Sequence, residues 1–283
     1  MPELPEVETI RSDLAKKILN KKIKKVEVRL PKIVKPESFT TKLTQNTFTD
    51  ITRRGKLMVF HLKTGQYMLV HLKMTGQLVY RNHNQVTAGG HSQKGMGLDL
   101  PNKYSHVIFS FENGSQLFYN DLRQFGYLRV VDQAELDKVL AKFGIEPLKP
   151  EFTPEKWQEL TKNRRTNIKA FLLNQAVVTG IGNIYADEVL FASHVLPTRT
   201  VDSLTKREKQ DIYQNIRAII KKAVLHRGTT FNDYVDADGK KGSFIQFLKV
   251  FHRDGDPCLE CGAIIQKTRV AGRGTHFCLK CQK

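Results

Sequence analysis

Met1-Pro2-Glu3-Leu4-Pro5-Glu6 opens the chain. Pro2 is small enough at the second position for the initiator methionine to be trimmed, which would leave a free proline at the N-terminus. An α-amino group has a pKa about two units below that of lysine, so much more of it is neutral and nucleophilic near pH 7. A secondary amine also condenses with a sugar aldehyde to give an iminium ion, which acts as an electron sink. Glu3 places a carboxyl group one residue away, suited to proton transfer if burial raises its pKa. The same prolines equally suit a first helical turn, and these six residues alone leave both readings open. Val7, Ile10, Leu14 and Ile18 then recur at helical spacing, so about 15 residues from Pro5 are expected to form an amphipathic helix. That helix would hold Pro2 and Glu3 at the mouth of a core. Glu6 and Glu8 suit the positive end of its dipole, and Glu6 can face the same pocket as Glu3.

Beyond the helix the period changes to two. Residues 25–30, 47–52, 57–62, 67–72, 106–111, 116–119 and 127–131 read as strands separated by turn signals, which predicts a sandwich or flattened barrel. Three turns in this half carry chemistry-bearing residues: Arg53-Arg54-Gly55-Lys56, His71-Leu72-Lys73-Met74-Thr75-Gly76 and Asp121-Leu122-Arg123-Gln124-Phe125-Gly126. Each alone reads as ordinary packing or a solvated turn. Together they have the residue types of a wedge that enters a duplex, with apolar side chains between bases and arginine replacing lost hydrogen bonds. Residues 81–103 are aperiodic, contain four glycines and read as a mobile surface loop.

From Gly144 to Pro150 the chain cannot continue a helix, which marks a linker. Helical patterns follow at 154–161, 167–174, 184–193 and 205–226. The last has Ile212, Ile216, Ile219 and Ala223 on one stripe, a Thr205…Glu208 capping box and Gly228 as a stop. Gly180-Ile181-Gly182-Asn183 sits between two of these helices, either as a tight interhelical turn or as an anion-receiving helix start. Residues 234–244 read as a loop able to act as a lid. Cys258-x2-Cys261, 16 residues, then Cys278-x2-Cys281 has the spacing of a four-cysteine zinc ribbon. Four thiolates leave no open position, so the Zn²⁺ would be structural. Lys267, Arg269 and Arg273 make the intervening hairpin basic.

The chain has 283 residues, with 46 Lys+Arg against 28 Asp+Glu and a net charge of +18. That excess favours a polyanionic partner. No apolar run approaches the roughly 20 residues needed to span a bilayer, and the polar start has no signal-peptide core. A cytoplasmic, nucleoid-associated protein is expected, and a monomer, since no coiled-coil pattern is present.

The start MPELPEVET, the RRGK turn, HLKMTG, DLRQFG, GIGNIYADE and the terminal cysteines, in that order, resemble the bacterial formamidopyrimidine-DNA glycosylase family over nearly the whole chain. The resemblance implies an α+β multidomain protein: an N-terminal β-sandwich with an N-terminal helix, a helix–two-turn–helix domain and a four-cysteine zinc finger. The corresponding bounds are 1–133, a linker at 134–150, 151–248 with a lesion-covering loop, and 249–283. It implies a base-excision-repair glycosylase and AP lyase that removes oxidised purines from damaged double-stranded DNA and cuts the strand by β,δ-elimination. By matching position, Pro2 would be the Schiff-base nucleophile, Glu3 the proton donor to the opening sugar, Lys56 a contact to the damaged nucleotide, and Arg273 a phosphate contact that assists the second elimination. Met74, Arg123 and Phe125 would fill the gap left by the extruded base. Tyr104, His106, Arg164 and Asn183 would be further DNA contacts, and Cys258, Cys261, Cys278 and Cys281 would hold one Zn²⁺. Two other readings stand beside this one. An endonuclease VIII-like enzyme for oxidised pyrimidines shares the proline chemistry, and a non-catalytic zinc-ribbon DNA-binding protein would share the charge and the cysteines.

Overall fold

The computed structural model describes residues 1–82, 85–91, 99–229, 234–235 and 243–283. The chain divides into two compact units, Met1–Ala141 with His226–Ile245, and Lys142–Leu225 with Gln246–Lys283.

In the first unit the predicted helix is α1, Leu4–Ile18, with Pro5 in its first turn and Val7, Ile10, Leu14 and Ile18 buried on one stripe. Then follow β1 (Ile23–Val28), β2 (Val34–Lys35), α2 (Phe39–Leu43), β3 (Phe48–Arg54), β4 (Leu57–Leu62), β5 (Tyr67–His71), β6 (Gly76–Asn82), β7 (Gln85–His91), β8 (Ser105–Phe111), β9 (Gln116–Asp121), β10 (Tyr127–Val131), α3 (Gln133–Leu140) and, after the second unit has begun, β11 (Tyr234–Val235). They form two sheets, ordered β1-β8-β9-β6-β7-β11 and β2-β10-β5-β4-β3. The core takes residues from both sheets and from α1. Phe48 is at its centre, packed at an angle against Phe60, Phe109 and Phe111 with ring centroids 5.3, 6.1 and 6.5 Å away, the inclined geometry aromatic quadrupoles favour. The sandwich is the expected one.

One expectation is corrected. The stretch 81–103, read as a loop, contains β7, which pairs antiparallel with β6 from Asn82↔Gln85 to Gln77↔Gly90. Gly89, Gly90 and the polar residues of this strand erase the period-two pattern, but backbone pairing does not require that pattern. β7 in turn pairs with β11, through Tyr234↔His91 and Val235↔Gly90. Residues 83–84 and 92–98 of the same stretch, and 236–242 of the expected lid, lie outside the described residues.

The second unit holds α4 (Pro154–Thr161), α5 (Ile168–Leu173), α6 (Asn183–Ala192), α7 (Lys206–Leu225) and the hairpin β12 (Gln266–Val270) and β13 (Arg273–Phe277). The capping box at α7 is present: Glu208 N donates to Thr205 Oγ1 at 3.2 Å and Thr205 N to Glu208 Oε2 at 2.7 Å. Ile220, not Ile219, completes its buried stripe with Ile212, Ile216 and Ala223. Glu188 on α6 is buried, and its carboxylate accepts the backbone N–H groups of Lys249, Val250 and Phe251 at 2.8, 3.0 and 2.9 Å. Burial pushes its pKa up, against those three hydrogen bonds. Three donors on one carboxylate fix the path of the chain into the cysteine hairpin. Among the described residues no helix is long and apolar enough to cross a membrane.

Candidate active site and nucleic-acid interface

Pro2 and Glu3 are buried at the start of α1, and Glu3 is only 3% exposed. Glu6 fixes them. Its Oε2 accepts from Glu3 N at 2.8 Å and its Oε1 from Thr229 N at 2.7 Å. Gly228, at φ +80°, is required there, because a Cβ on it would lie 2.6 Å from Glu6 Oε1. The neighbouring Arg227 pairs with Asp13 of α1. One carboxylate thus joins the opening residues to residues 228–229, more than two hundred positions away in sequence.

Lys56 is buried within the β3–β4 turn, where Gly55 takes φ +56°. That turn is bound to α1 through Glu8, which meets Arg53 at 2.9 Å and Arg11 at 2.6 Å. Burial raises the Glu8 pKa, but the two guanidinium groups outweigh it and hold it below the usual carboxylate range. His71 lies within the field of Lys56. Burial first, then the charges of Lys73 and Lys56, lower its pKa to about 3, so the ring is neutral at pH 7. Its Nδ1 accepts from Lys73 N at 3.0 Å, which places the proton on Nε2.

The three wedge candidates sit on two neighbouring turns of the same unit. Met74 is half-buried, Arg123 exposed and Phe125 56% exposed. The Arg123 guanidinium lies 4.7 Å from the centroid of the Phe125 ring, a cation–π contact that orients both outward side chains. More than half of this aromatic surface is left open to solvent in the free protein. Tyr104 is half-buried, with Lys103 Nζ 5.2 Å from its ring centroid. His106 is buried, and its Nε2 lies 2.7 Å from the Asp121 carbonyl oxygen. It therefore supports the turn that follows β9.

In the second unit, Gly180 takes φ +97° and Gln175 closes the turn, receiving Gly180 N at 2.8 Å and donating to Ile181 O at 2.8 Å. Asn183 begins α6 from this turn, and its Nδ2 donates to Gly274 O at 2.9 Å. Asn183 and exposed Arg273 are thereby brought together through one peptide. Arg164 is exposed in the turn after α4, its Nε 3.2 Å from Leu160 O. Beneath them Lys169 and Asp187, both with side chains fully buried, form an ion pair at 2.7 Å. Lys169 Nζ also donates to Thr275 Oγ1 at 2.7 Å and Gly274 O at 3.2 Å, and Asp187 Oδ2 accepts from His276 N at 2.9 Å. Sequence reasoning missed Lys169, Asp187, Glu188 and Asp121, because nothing in local sequence marks a charged residue as buried.

The sulfur atoms of Cys258, Cys261, Cys278 and Cys281 all lie within 4.8 Å of one another, with Cys258–Cys281 at 3.8 Å and Cys261–Cys278 at 3.4 Å. A tetrahedral Zn²⁺ with Zn–S bonds of about 2.3 Å needs sulfurs about 3.8 Å apart, so the four residues fit the ion.

Models of three families match along the chain: the formamidopyrimidine-DNA glycosylase N-terminal domain at residues 1–128, the H2TH domain of the same glycosylases at 143–234, and the zinc finger found in FPG and IleRS at 255–283. The chain belongs to the formamidopyrimidine-DNA glycosylase family. It is 40% identical over 288 residues to the formamidopyrimidine-DNA glycosylase of Pelotomaculum thermopropionicum, covering 100% of this chain and 99% of the relative. With that of Mycoplasma genitalium it shares 37% identity over 286 residues, covering 100% and 96%. The Lactococcus lactis Fpg bound to abasic-site DNA superposes with a TM-score of 0.88 at 33% identity, over 99% of both chains. The wild-type L. lactis enzyme bound to N7-benzyl-Fapy-dG DNA gives 0.88 at 34% identity over 100% of both. The zinc ion of this family is a structural one, held by the four cysteines.

Proposed function

We propose that this glycosylase removes oxidised purines, 8-oxoguanine and formamidopyrimidines, from duplex DNA and then cleaves the strand, with Pro2 as nucleophile. The observation that carries the reading is the buried Pro2–Glu3 pair locked by Glu6 to Thr229 N. Glu6 on Glu3 N is a capping-box bond that any helix start can use; what goes beyond capping is the second bond of the same carboxylate, to Thr229 N. A base inside a duplex hides its glycosidic bond, so the nucleotide is extruded first, and Met74, Arg123 and Phe125 fill the gap and offset part of the unstacking cost. The freed proline nitrogen then forms a bond to C1′ as the bond to the base breaks, the base leaving with that electron pair and with the proton the proline nitrogen gives up. Glu3 gives its proton to the sugar oxygen as the ring opens, leaving an iminium at C1′. That cation acidifies the C2′ hydrogen, whose loss expels the 3′ phosphate, and a second elimination expels the 5′ phosphate. Lys56 sits by the damaged nucleotide, while Tyr104, Arg164, Asn183 and Arg273 grip backbone phosphates, with Arg273 assisting the second elimination. The +18 net charge fits work on nucleoid DNA in the cytoplasm as a monomer.

Borohydride trapping tests the reading. Incubation with an 8-oxoguanine:C duplex should give a covalent adduct that peptide mapping places on Pro2. No adduct from protein verified to begin at Pro2 would favour a DNA binder without turnover. A faster adduct with thymine glycol would favour the pyrimidine-directed relative.

A further inference from the structure

Asp121 closes β9 at the foot of the turn that carries Arg123 and Phe125, and its side chain is completely buried. The hydrogen bonds to its side chain from Thr75, Arg123 and Gly126 all come from the wedge turns. Oδ1 accepts from the Thr75 hydroxyl, the residue after Met74, and from Arg123 N at 3.2 Å. Oδ2 accepts from Gly126 N at 2.8 Å, in the peptide that follows Phe125. The Thr75 oxygen in turn accepts from Arg123 N at 2.9 Å, so it bridges the two turns. The backbone of Asp121 is held as well: its carbonyl meets His106 Nε2, and its N–H donates to Tyr104 O at 3.1 Å. The Tyr119 hydroxyl fills the remaining space. A Cβ on Gly126 would lie 1.7 Å from it and one on Gly76 would lie 2.9 Å from it. Burial, then the Asp121 charge, pushes the Tyr119 hydroxyl above its ordinary range.

We propose that Asp121 is the positioning residue of the wedge, the single buried carboxylate that sets Met74, Arg123 and Phe125 in mutual register before DNA is met. This rests on the reading of those three residues as the wedge. The chemistry explains why a carboxylate is needed. A carboxylate only accepts hydrogen bonds, and both of its oxygens here face donors. In Asp121→Asn one of those atoms becomes an NH₂ that must oppose either the Gly126 N–H or the Thr75 and Arg123 donors. One turn is then released in a site closed to solvent. Because Arg123 stacks on Phe125, displacing either moves both. His106, expected to be a DNA contact, acts in the same assembly by holding the Asp121 carbonyl.

The test uses the full-length protein loaded with zinc. In Asp121→Asn, excision from an intact 8-oxoguanine:C duplex should slow about tenfold to a hundredfold, the range set by losing a charge-assisted hydrogen bond. Cleavage and borohydride trapping on a preformed abasic site, where no base is extruded, should stay within about threefold. A fluorescent base analogue beside the lesion should unstack correspondingly slowly. Thr75→Val keeps the shape and the carboxylate and removes only the bridge, so it should show a smaller loss of the same kind if Asp121→Asn does not fold. The decisive readout is a cycle. Adding Asp121→Asn to Met74→Ala/Arg123→Ala/Phe125→Ala should cost nothing further, because the carboxylate acts only through those three side chains. Additive losses, or equal loss on lesion and abasic substrates, would overturn the proposal. Failure of the unmutated protein to trap on either substrate would instead overturn the catalytic reading beneath it.

Discussion

Lys169→Met is the substitution whose cost the structure defines most fully. The methionine matches the lysine stem in length and removes the ammonium, leaving Asp187 in a site with no solvent access. Asp187 keeps the His276 N–H at 2.9 Å, but loses its counter-ion, while Gly274 O and Thr275 Oγ1 lose their shared donor. Removing one partner of a buried pair costs about 3–5 kcal/mol, mostly because the remaining charge is uncompensated. For a unit of about 120 residues, each kcal/mol lowers Tm by about 3–5 °C, so a drop of roughly 10–20 °C is expected. Differential scanning calorimetry with a zinc-release dye reads both the unfolding of this unit and the loosening of the hairpin. Since Asn183 bonds Gly274 O beside Arg273, affinity for an abasic-site duplex should fall as well. Lys169→Met/Asp187→Leu removes both charges and should recover much of the stability. A Tm within about 3 °C of the parent in Lys169→Met, with unchanged zinc retention, would refute the argument that this pair secures the finger.

Four further outcomes follow from the geometry. Retaining Met1 or adding an N-terminal tag acylates the Pro2 nitrogen, so strand cleavage should vanish while lesion binding persists; full cleavage by verified tagged protein would remove Pro2 from the mechanism. Cys258→Ser should release zinc and weaken DNA binding more than it unfolds the rest, because metal binding is the folding energy of so small a hairpin; tight binding by a zinc-free, folded variant would contradict this. The depressed His71 pKa means that below about 6.5 the unfolded chain takes up a proton that the folded chain refuses until about pH 3. Stability contributed by this residue is therefore present above 6.5 and lost as pH falls through that window, at up to about 1.4 kcal/mol per unit; His71→Asn, which keeps an acceptor for Lys73 N, should flatten the slope of denaturant stability between pH 6 and 5. Gly228→Ala forces a side chain against Glu6 Oε1 at positive φ and should cost about 1–3 kcal/mol, together with most of the cleavage activity; a fully active variant would show that Glu6 need not be held.

The sequence carried what is periodic or punctuated. The apolar stripe of α1, the strands β4 and β10, the helix α4 and the cysteine spacing all follow from side-chain patterns with a single structural solution, and they fall where the pattern put them. β7 was hidden because its backbone pairs without apolar alternation. Met74, Arg123 and Phe125 were visible as residue types on turns, but the buried acids Asp121 and Asp187 were not. Asp121 looks in sequence like an ordinary turn opener, and Lys169 like one more solvated base in a chain with a large positive excess. The burial of His106 against the Asp121 carbonyl was equally illegible, since a lone polar residue at a strand start carries no signal of which way it faces.

The first unit is not a continuous stretch of chain. It ends at Ala141, and resumes at His226 for twenty residues before the chain leaves it again. A fragment stopping at 141 would carry Pro2, Lys56, Met74, Arg123 and Phe125, yet lack the Thr229 amide that steadies Glu6. No single excised segment contains both the sandwich and its strap without residues 142–225 between them, so truncation alone cannot separate the first unit from the second. A minimal version has to splice 141 to 226 with a designed linker. Evolution faces the same restriction: recombination that swaps the helical part for another DNA-reading module must preserve the returning strap, or it delivers a proline that is present but unsupported.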